Sequence, residues 1–170
     1  MRRRHLLALG LVFLAGVGAG VLLTLSGWAG WHLFSAARSG EEGRYFVTVE
    51  ASRGWTETGI RLEAGDFLSV HYLAGEWSPW PGGLYGPLGA GGDPDCGCNV
   101  MRGVSHAALI GRIGENPPFL VGRSFGRVVG ESGVLYLGIN DVDVGDNAGS
   151  LEVEVLVVRE YDKEKSGGLR

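Results

Sequence analysis

The chain has 170 residues, enough for one domain of ordinary size and an extension. Hydrophobic residues make up 45% and charged residues 20%, and 31 glycines are scattered between short apolar runs with no fixed period. That pattern argues against collagen and low complexity and for many turns between strands. Formal net charge is −4, and with Arg2, Arg3 and Arg4 set outside the globular part the remainder carries −7, which argues against a nucleic-acid partner because phosphate binding needs a basic face.

Arg2-Arg3-Arg4 precedes Leu6 to Trp31, 26 residues without Asp, Glu, Lys, Arg or His. This exceeds the roughly 20 residues that cross a bilayer and the roughly 7 to 15 of a signal-peptide core. The expectation is a single-pass signal anchor with its N-terminus in the cytoplasm, as the arginines direct, and everything after about Ser35 exported. Trp28, Trp31 and Phe34 would lie at the outer interface. A cleaved signal peptide is the competing reading, with small residues from Ala15 to Gly20 for a peptidase. Gly16 and Gly20 form a G-x-x-x-G pair that would admit a second helix, although glycine is common in membrane helices in any case.

Residues 35–44 read as a linker. From Tyr45 the period becomes two, with Tyr45, Val47 and Val49 on one side, which predicts a strand. Ile60 and Leu62, Phe67 to Leu73, Ala107 to Ile113, Phe119 to Val121, and Leu151 to Val158 continue the style. Ala64-Gly65-Asp66 and Gly114 to Pro118 are turn signals. Arg127 to Val129 and Val134 to Ile139, separated by Glu131-Ser132-Gly133, predict a hairpin. Gly75 to Gly103 is a long Gly/Pro-rich passage; Trp77, Trp80 and Tyr85 within it argue for function and against simple disorder. With no convincing amphipathic helix, the expected fold is all-β, a β-sandwich of jelly-roll, galactose-binding-domain-like type over residues 45–158, preceded by one transmembrane helix within residues 1–34. Residues 159–170 are charged, and the expectation is a frayed tail.

Asn140 to Ser150 packs five carboxylate or carboxamide side chains and two glycines between two apolar strands. Oxygen ligands on a tight turn suit Ca²⁺, which takes six to eight oxygens; the same residue types also serve any β-turn by bonding the local backbone. Asp141, Asp143 and Glu152 fall at EF-hand positions 1, 3 and 12, but Asp146 stands where that motif needs glycine. Cys96-Gly97-Cys98 is the only cysteine pair, expected to be oxidised outside the cytoplasm. A metal site joining it to Asp93, His71 or His106 lacks zinc-motif spacing. Ser105-His106 has no G-x-S-x-G context, so no catalytic residue is assigned and an enzyme is not expected.

Thr58-Gly59-Ile60-x-Leu62-x-x-Gly65-Asp66, Ala74-Gly75-x-Trp77, Gly86-Pro87-x-Gly89, Ala108-Leu109-Ile110-Gly111-x-Ile113-Gly114, Pro118-Phe119-x-x-Gly122, Gly133-x-Leu135 and Asn140-Asp141…Asn147-x-Gly149-Ser150 together resemble the PA-IL-like bacterial lectins. The resemblance spans about Tyr45 to Val158 and implies a calcium-dependent, galactose-binding β-sandwich. It further implies Asp141, Asp146 and Asn147 as side-chain ligands of Ca²⁺, with carbonyls from around Asp143 or Val144 and from around Ser78 to Trp80. Three departures stand out. The calcium loop is shorter, Asp146 replaces a neutral Asn, and the sugar-contacting His and Gln align with Asp93 and Cys96, so galactose specificity does not carry over.

Two functions follow as expectations. One is a membrane-anchored lectin-like domain, in a bacterial inner membrane with the sandwich periplasmic or extracellular, that binds Ca²⁺ and a carbohydrate through Asp93, Cys96, Trp80 and Tyr85. Trp77 is a further candidate for stacking on a sugar, and each of these rings could instead pin the long loop to the core. The other is a non-catalytic accessory subunit of a membrane protein complex, docking through the sandwich with any calcium structural.

Overall fold

The computed structural model describes residues 42–159. The expected anchor and the tail beyond residue 159 lie outside the described residues, and no helix among the described residues is long and apolar enough to cross a membrane. Eight strands form: β1 (Glu42–Glu50), β2 (Trp55–Leu62), β3 (Phe67–Ser78), β4 (Leu109–Ile113), β5 (Phe119–Leu120), β6 (Ser124–Val128), β7 (Gly133–Ile139) and β8 (Ala148–Val158), with one 3-10 turn at Ala51–Arg53. They pair antiparallel into two sheets, β1-β8-β3-β6 and β2-β7-β4-β5. This order is that of a jelly roll.

Alternation explains the layering. Along β8, Leu151, Val153, Val155 and Val157 are buried while Glu152 is exposed, and Val49, Leu68 and Val70 face them from the same sheet. Leu62, Leu109, Ile113, Leu135, Leu137 and Ile139 come from the other sheet. Each such side chain taken fully out of water contributes about 1.5–3 kcal/mol before entropy is charged. At the predicted turn, Asp66 Oδ2 accepts the Glu63 N–H at 2.9 Å.

Several boundaries move. β1 begins at Glu42, inside the expected linker, because Glu42 to Arg44 complete the ladder opposite Val158 to Leu156. β3 runs on to Ser78, into the passage expected to be loop. The expected hairpin at Glu131-Ser132-Gly133 is corrected: β6 pairs with β3 and β7 with β2 and β4, so this link crosses between the sheets. Val129, just beyond β6, is buried and donates its N–H to Asp66 O at 2.8 Å, which carries the chain over the edge of the sandwich.

One irregularity in β3 matters for the site. Tyr72 opposes Val153 and Ala74 opposes Glu152, so Leu73 is an extra residue, a β-bulge. Before the bulge, even-numbered Leu68 and Val70 point inward; after it, odd-numbered Trp77 does, with no exposure at all. Opposite Trp77 sits Gly149, at φ +85, where a Cβ would lie 2.5 Å from Glu76 O. Only glycine fits this approach of the two strands.

Candidate functional site

Four links lie at the same end of the sandwich; besides the β5–β6 link they are the 3-10 turn between β1 and β2, the long β3–β4 loop, and the β7–β8 loop carrying Asp141 to Asn147. The β3–β4 loop is held by its own backbone. Trp77 and Tyr85 exchange both N–H···O bonds at 3.0 and 2.8 Å, and Gly91 and His106 form a further bridge. Gly89, at φ +79, sits so close to the His106 and Ala108 backbone that a Cβ there would be 2.2 Å from His106 O. Among the described residues Ala107 is the one non-glycine at positive φ, 61°, a conformation that costs a residue bearing a Cβ about 1–2 kcal/mol. It is held there by its N–H to Asn140 O at 3.1 Å and by Trp77 Nε1, which donates to Ala107 O at 3.0 Å.

Asn140 ties the two loops together from a fully buried position. Its Oδ1 accepts the Met101 N–H at 2.7 Å, and its Nδ2 faces the carbonyls of Met101, Val104 and Ser105 at 3.1–3.3 Å. Val142 then donates to Cys98 O at 2.9 Å. Cys96 and Cys98 are joined as a disulfide, so neither offers the thiol that the sequence placed at Cys96.

Between the loops lies a cavity of about 460 Å³. Trp80, Asp93, Cys96, Cys98 and His106 line it from the β3–β4 side, and Asp141, Asp143 and Asp146 from the β7–β8 side. Of the expected sugar-contacting residues, Asp93, Cys96 and Trp80 therefore line the same cavity as Asp141, Asp143 and Asp146, whereas Asn147, also an expected ligand, is buried and is not part of its lining. Tyr85 stands behind them, 5.5 Å from the Trp80 ring at a tilt of 59°. Trp77 is corrected from a candidate stacking platform to a core residue, because the bulge turns it inward. Trp80, 39% exposed, stays at the surface and stacks on His106 at 5.5 Å and 10°. Glu152 lies elsewhere, in a groove with Phe46 and Leu73, and His71 bonds Ser69 within β3.

The β7–β8 loop holds its polar atoms unevenly. Asp141, with a side chain only 5% exposed, accepts the Asp143 N–H on Oδ1 at 3.1 Å, whereas its Oδ2 receives no hydrogen bond and faces His106 Nε2 at 3.8 Å. Asp143 Oδ1 accepts the Gly145 N–H at 3.2 Å. Asn147 is buried, with Nδ2 at 3.5 Å from Ala51 O and Oδ1 without any partner. A buried amide oxygen left unpaired costs about 1–3 kcal/mol. With the Asp141 carboxylate at the cavity in the same loop, this orphaned oxygen suits a hard cation, which needs oxygen donors. Trp80 O, in the region expected to supply a carbonyl, accepts the Ser78 hydroxyl, and Val144 O accepts the Asn147 N–H at 3.3 Å. Among the described residues no three His, Cys, Asp or Glu side chains converge on one point. A donor set of two carboxylates, a carboxamide and backbone carbonyls does not require that.

No protein-family model matches the chain, and no curated protein matches it. Among solved structures the chain is similar to the EclA N-terminal domain, a PllA-like lectin, at 25% identity and a TM-score of 0.51, over 68% of this chain and 96% of that domain. The fold is lectin-like. The similarity supports the all-β sandwich.

The sequence weighed His106 only as a zinc ligand or beside Ser105 and did not single out Asn99, which the structure sets against it, Asn99 Oδ1 lying 2.9 Å from His106 Nδ1. Asn140 was visible beside Asp141 but not as the residue that clasps 101–105, since those partners lie 35 to 39 positions away.

Proposed function

We propose that the domain is a calcium-dependent carbohydrate-binding module, exported and held at a bacterial inner membrane by the N-terminal segment. The observation that carries this reading is the cavity in which Asp141, Asp143 and Asp146 face Trp80 and Asp93. The similarity to a lectin domain of known structure supports it. Asp141, Asp146 and Asn147 would hold the ion with their side chains. When bound, Ca²⁺ supplies a positive centre whose remaining coordination positions accept ligand hydroxyls.

The chain's own residues account for the rest of the binding. Asn140 and the Val142–Cys98 bond keep the two loops in register, so that little conformational entropy is lost when a ligand settles between them. Asp93 accepts from hydroxyls on the side where the resemblance expects an imidazole. Trp80 borders the ligand with the face not covered by His106.

A second reading, an accessory subunit of a membrane complex, draws on Phe46 (71% exposed) and Leu73 (48% exposed), which line a groove on the outer face of the β1-β8-β3-β6 sheet. Presenting the full-length chain to a glycan array with Ca²⁺ and with chelator separates the two. Calcium-dependent retention of a sugar is expected; no retention, together with co-purification of a detergent-stable complex, would replace the first reading with the second.

A further inference from the structure

We infer that the Cys96–Cys98 disulfide is a thiol-exchange site, opened by a low-molecular-weight thiol that stays in the cavity as a mixed disulfide on Cys98. The exchange stands apart from the carbohydrate-binding reading above; its effect on sugar binding rests on that reading.

The turn that carries the two cysteines is held without their bond. Asn99 is buried, and its Nδ2 donates to Asp93 O at 3.2 Å and Pro94 O at 3.1 Å. The Asn99 N–H reaches Cys96 O at 3.1 Å and the Gly103 N–H reaches Pro94 O at 3.0 Å. The tie to the β7–β8 loop also runs through backbone, from Val142 N–H to Cys98 O. A cross-link that closes so short a loop removes little chain entropy, and here it repeats restraints already present. Opening it therefore costs the fold little. Access is direct, since Cys98 is exposed, Cys96 is half-buried, and both line the cavity. Buried structural disulfides resist exchange, whereas exposed ones are the labile class.

The hydrogen bonding sets the direction of attack. An incoming thiolate bonds to Cys98 Sγ, the S–S bond breaks, and Cys96 Sγ leaves with the electron pair. The Cys98 N–H already donates to that sulfur at 3.1 Å. A hydrogen bond to the charged form favours it, and a better stabilised thiolate leaves faster. Cys96 then takes a proton from water, so one disulfide has replaced another. A second thiol attacking the adduct would carry off the first as a symmetrical disulfide, oxidising two thiols and reducing both cysteines. The cavity wall grades the incoming molecules by charge. Asp93, Asp141, Asp143 and Asp146 line the same space, and their field favours a thiol bearing an ammonium group over one bearing a carboxylate.

The test uses the oxidised full-length chain, whose two cysteines are the only ones in the sequence. It is mixed with cysteamine, 2-mercaptoethanol or mercaptoacetate at matched thiolate concentration, quenched with N-ethylmaleimide over time, and mapped by peptide mass spectrometry. The expected product carries the small thiol on Cys98 and maleimide on Cys96. Cysteamine is expected to form it about tenfold faster than mercaptoacetate, the spread narrowing in about 1 M salt and in Asp93→Asn. No adduct on the native chain at any time, an adduct confined to Cys96, or equal rates for the three thiols overturns the inference. The cysteamine-loaded chain is then presented to the glycan array in Ca²⁺ beside untreated chain. Loss of the untreated chain's sugar signal is expected, and an undiminished signal overturns the placement of the adduct in the cavity. Absence of any sugar signal from untreated chain overturns the lectin reading and leaves the exchange to be decided by the mass map.

Discussion

Trp77 and Trp80 stand three positions apart in one aromatic-rich passage, and they take opposite roles. Trp77 is fully buried with its indole N–H on Ala107 O; Trp80 is partly exposed and stacks on His106. Composition shows both as candidates for sugar contact or for pinning the loop, and nothing local separates them, because the bulge at Leu73 sets which side of β3 faces the core. The roles predict different costs. Trp77→Phe leaves Ala107 O unpaired in the interior and lowers stability by about 1–3 kcal/mol in urea denaturation. Trp80→Ala changes the unfolding midpoint little and weakens ligand binding; equal destabilisation by the two variants would contradict this assignment.

At the scale of elements, the β3–β8 pair aims the site. Gly149 lets β8 close on Trp77, and β8 begins one residue after Asn147, so the β7–β8 loop inherits its position from that contact. Gly149→Ala would force a left-handed φ on a residue with a Cβ and push against Glu76 O. The expected outcome is a loss of about 2 kcal/mol or more together with weaker Ca²⁺ binding, seen by thermal unfolding with and without the ion. The cysteine pair acts on a smaller scale. Its disulfide closes a very short loop, so Cys96→Ser with Cys98→Ser should lower stability by under about 2 kcal/mol; a larger loss would mean that the turn supports the core as well as the cavity.

Strands whose apolar residues alternate cleanly, such as Leu151, Val153, Val155 and Val157 in β8, were legible in the sequence. Trp55-Thr56-Glu57 and Ser124-Phe125-Gly126 were not, since they lie on edge strands where one neighbour and one buried face leave a weak pattern. The link from β6 to β7 reads as a hairpin because short connections favour one; layer assignment is decided by which sheet each strand completes, a long-range matter. In the site, the acidic loop announces itself by residue type. His106 does not, because its place in the cavity wall is set by the bridge to Gly91 and by Trp80, both far from it in the chain.

At the scale of the whole sandwich, eight strands in jelly-roll order bury one contiguous core and bring four links to one end. The lectin-like fold places polar donors there without asking the core to change. Asn147 Oδ1, buried in the β7–β8 loop without a hydrogen-bond donor, is a cost to the folded chain that a partner supplying positive charge would offset. If that partner is Ca²⁺, saturating ion stabilises the fold by mass action, about 2.7 kcal/mol at one hundred times Kd, and chelator removes the gain.

The most direct measurement is isothermal titration of the full-length chain with Ca²⁺, beside Asp141→Ala. The account predicts a saturable heat with one site per chain in wild type and none in the variant. No saturable heat in wild type, or the same heat in both proteins, would contradict a calcium site at Asp141.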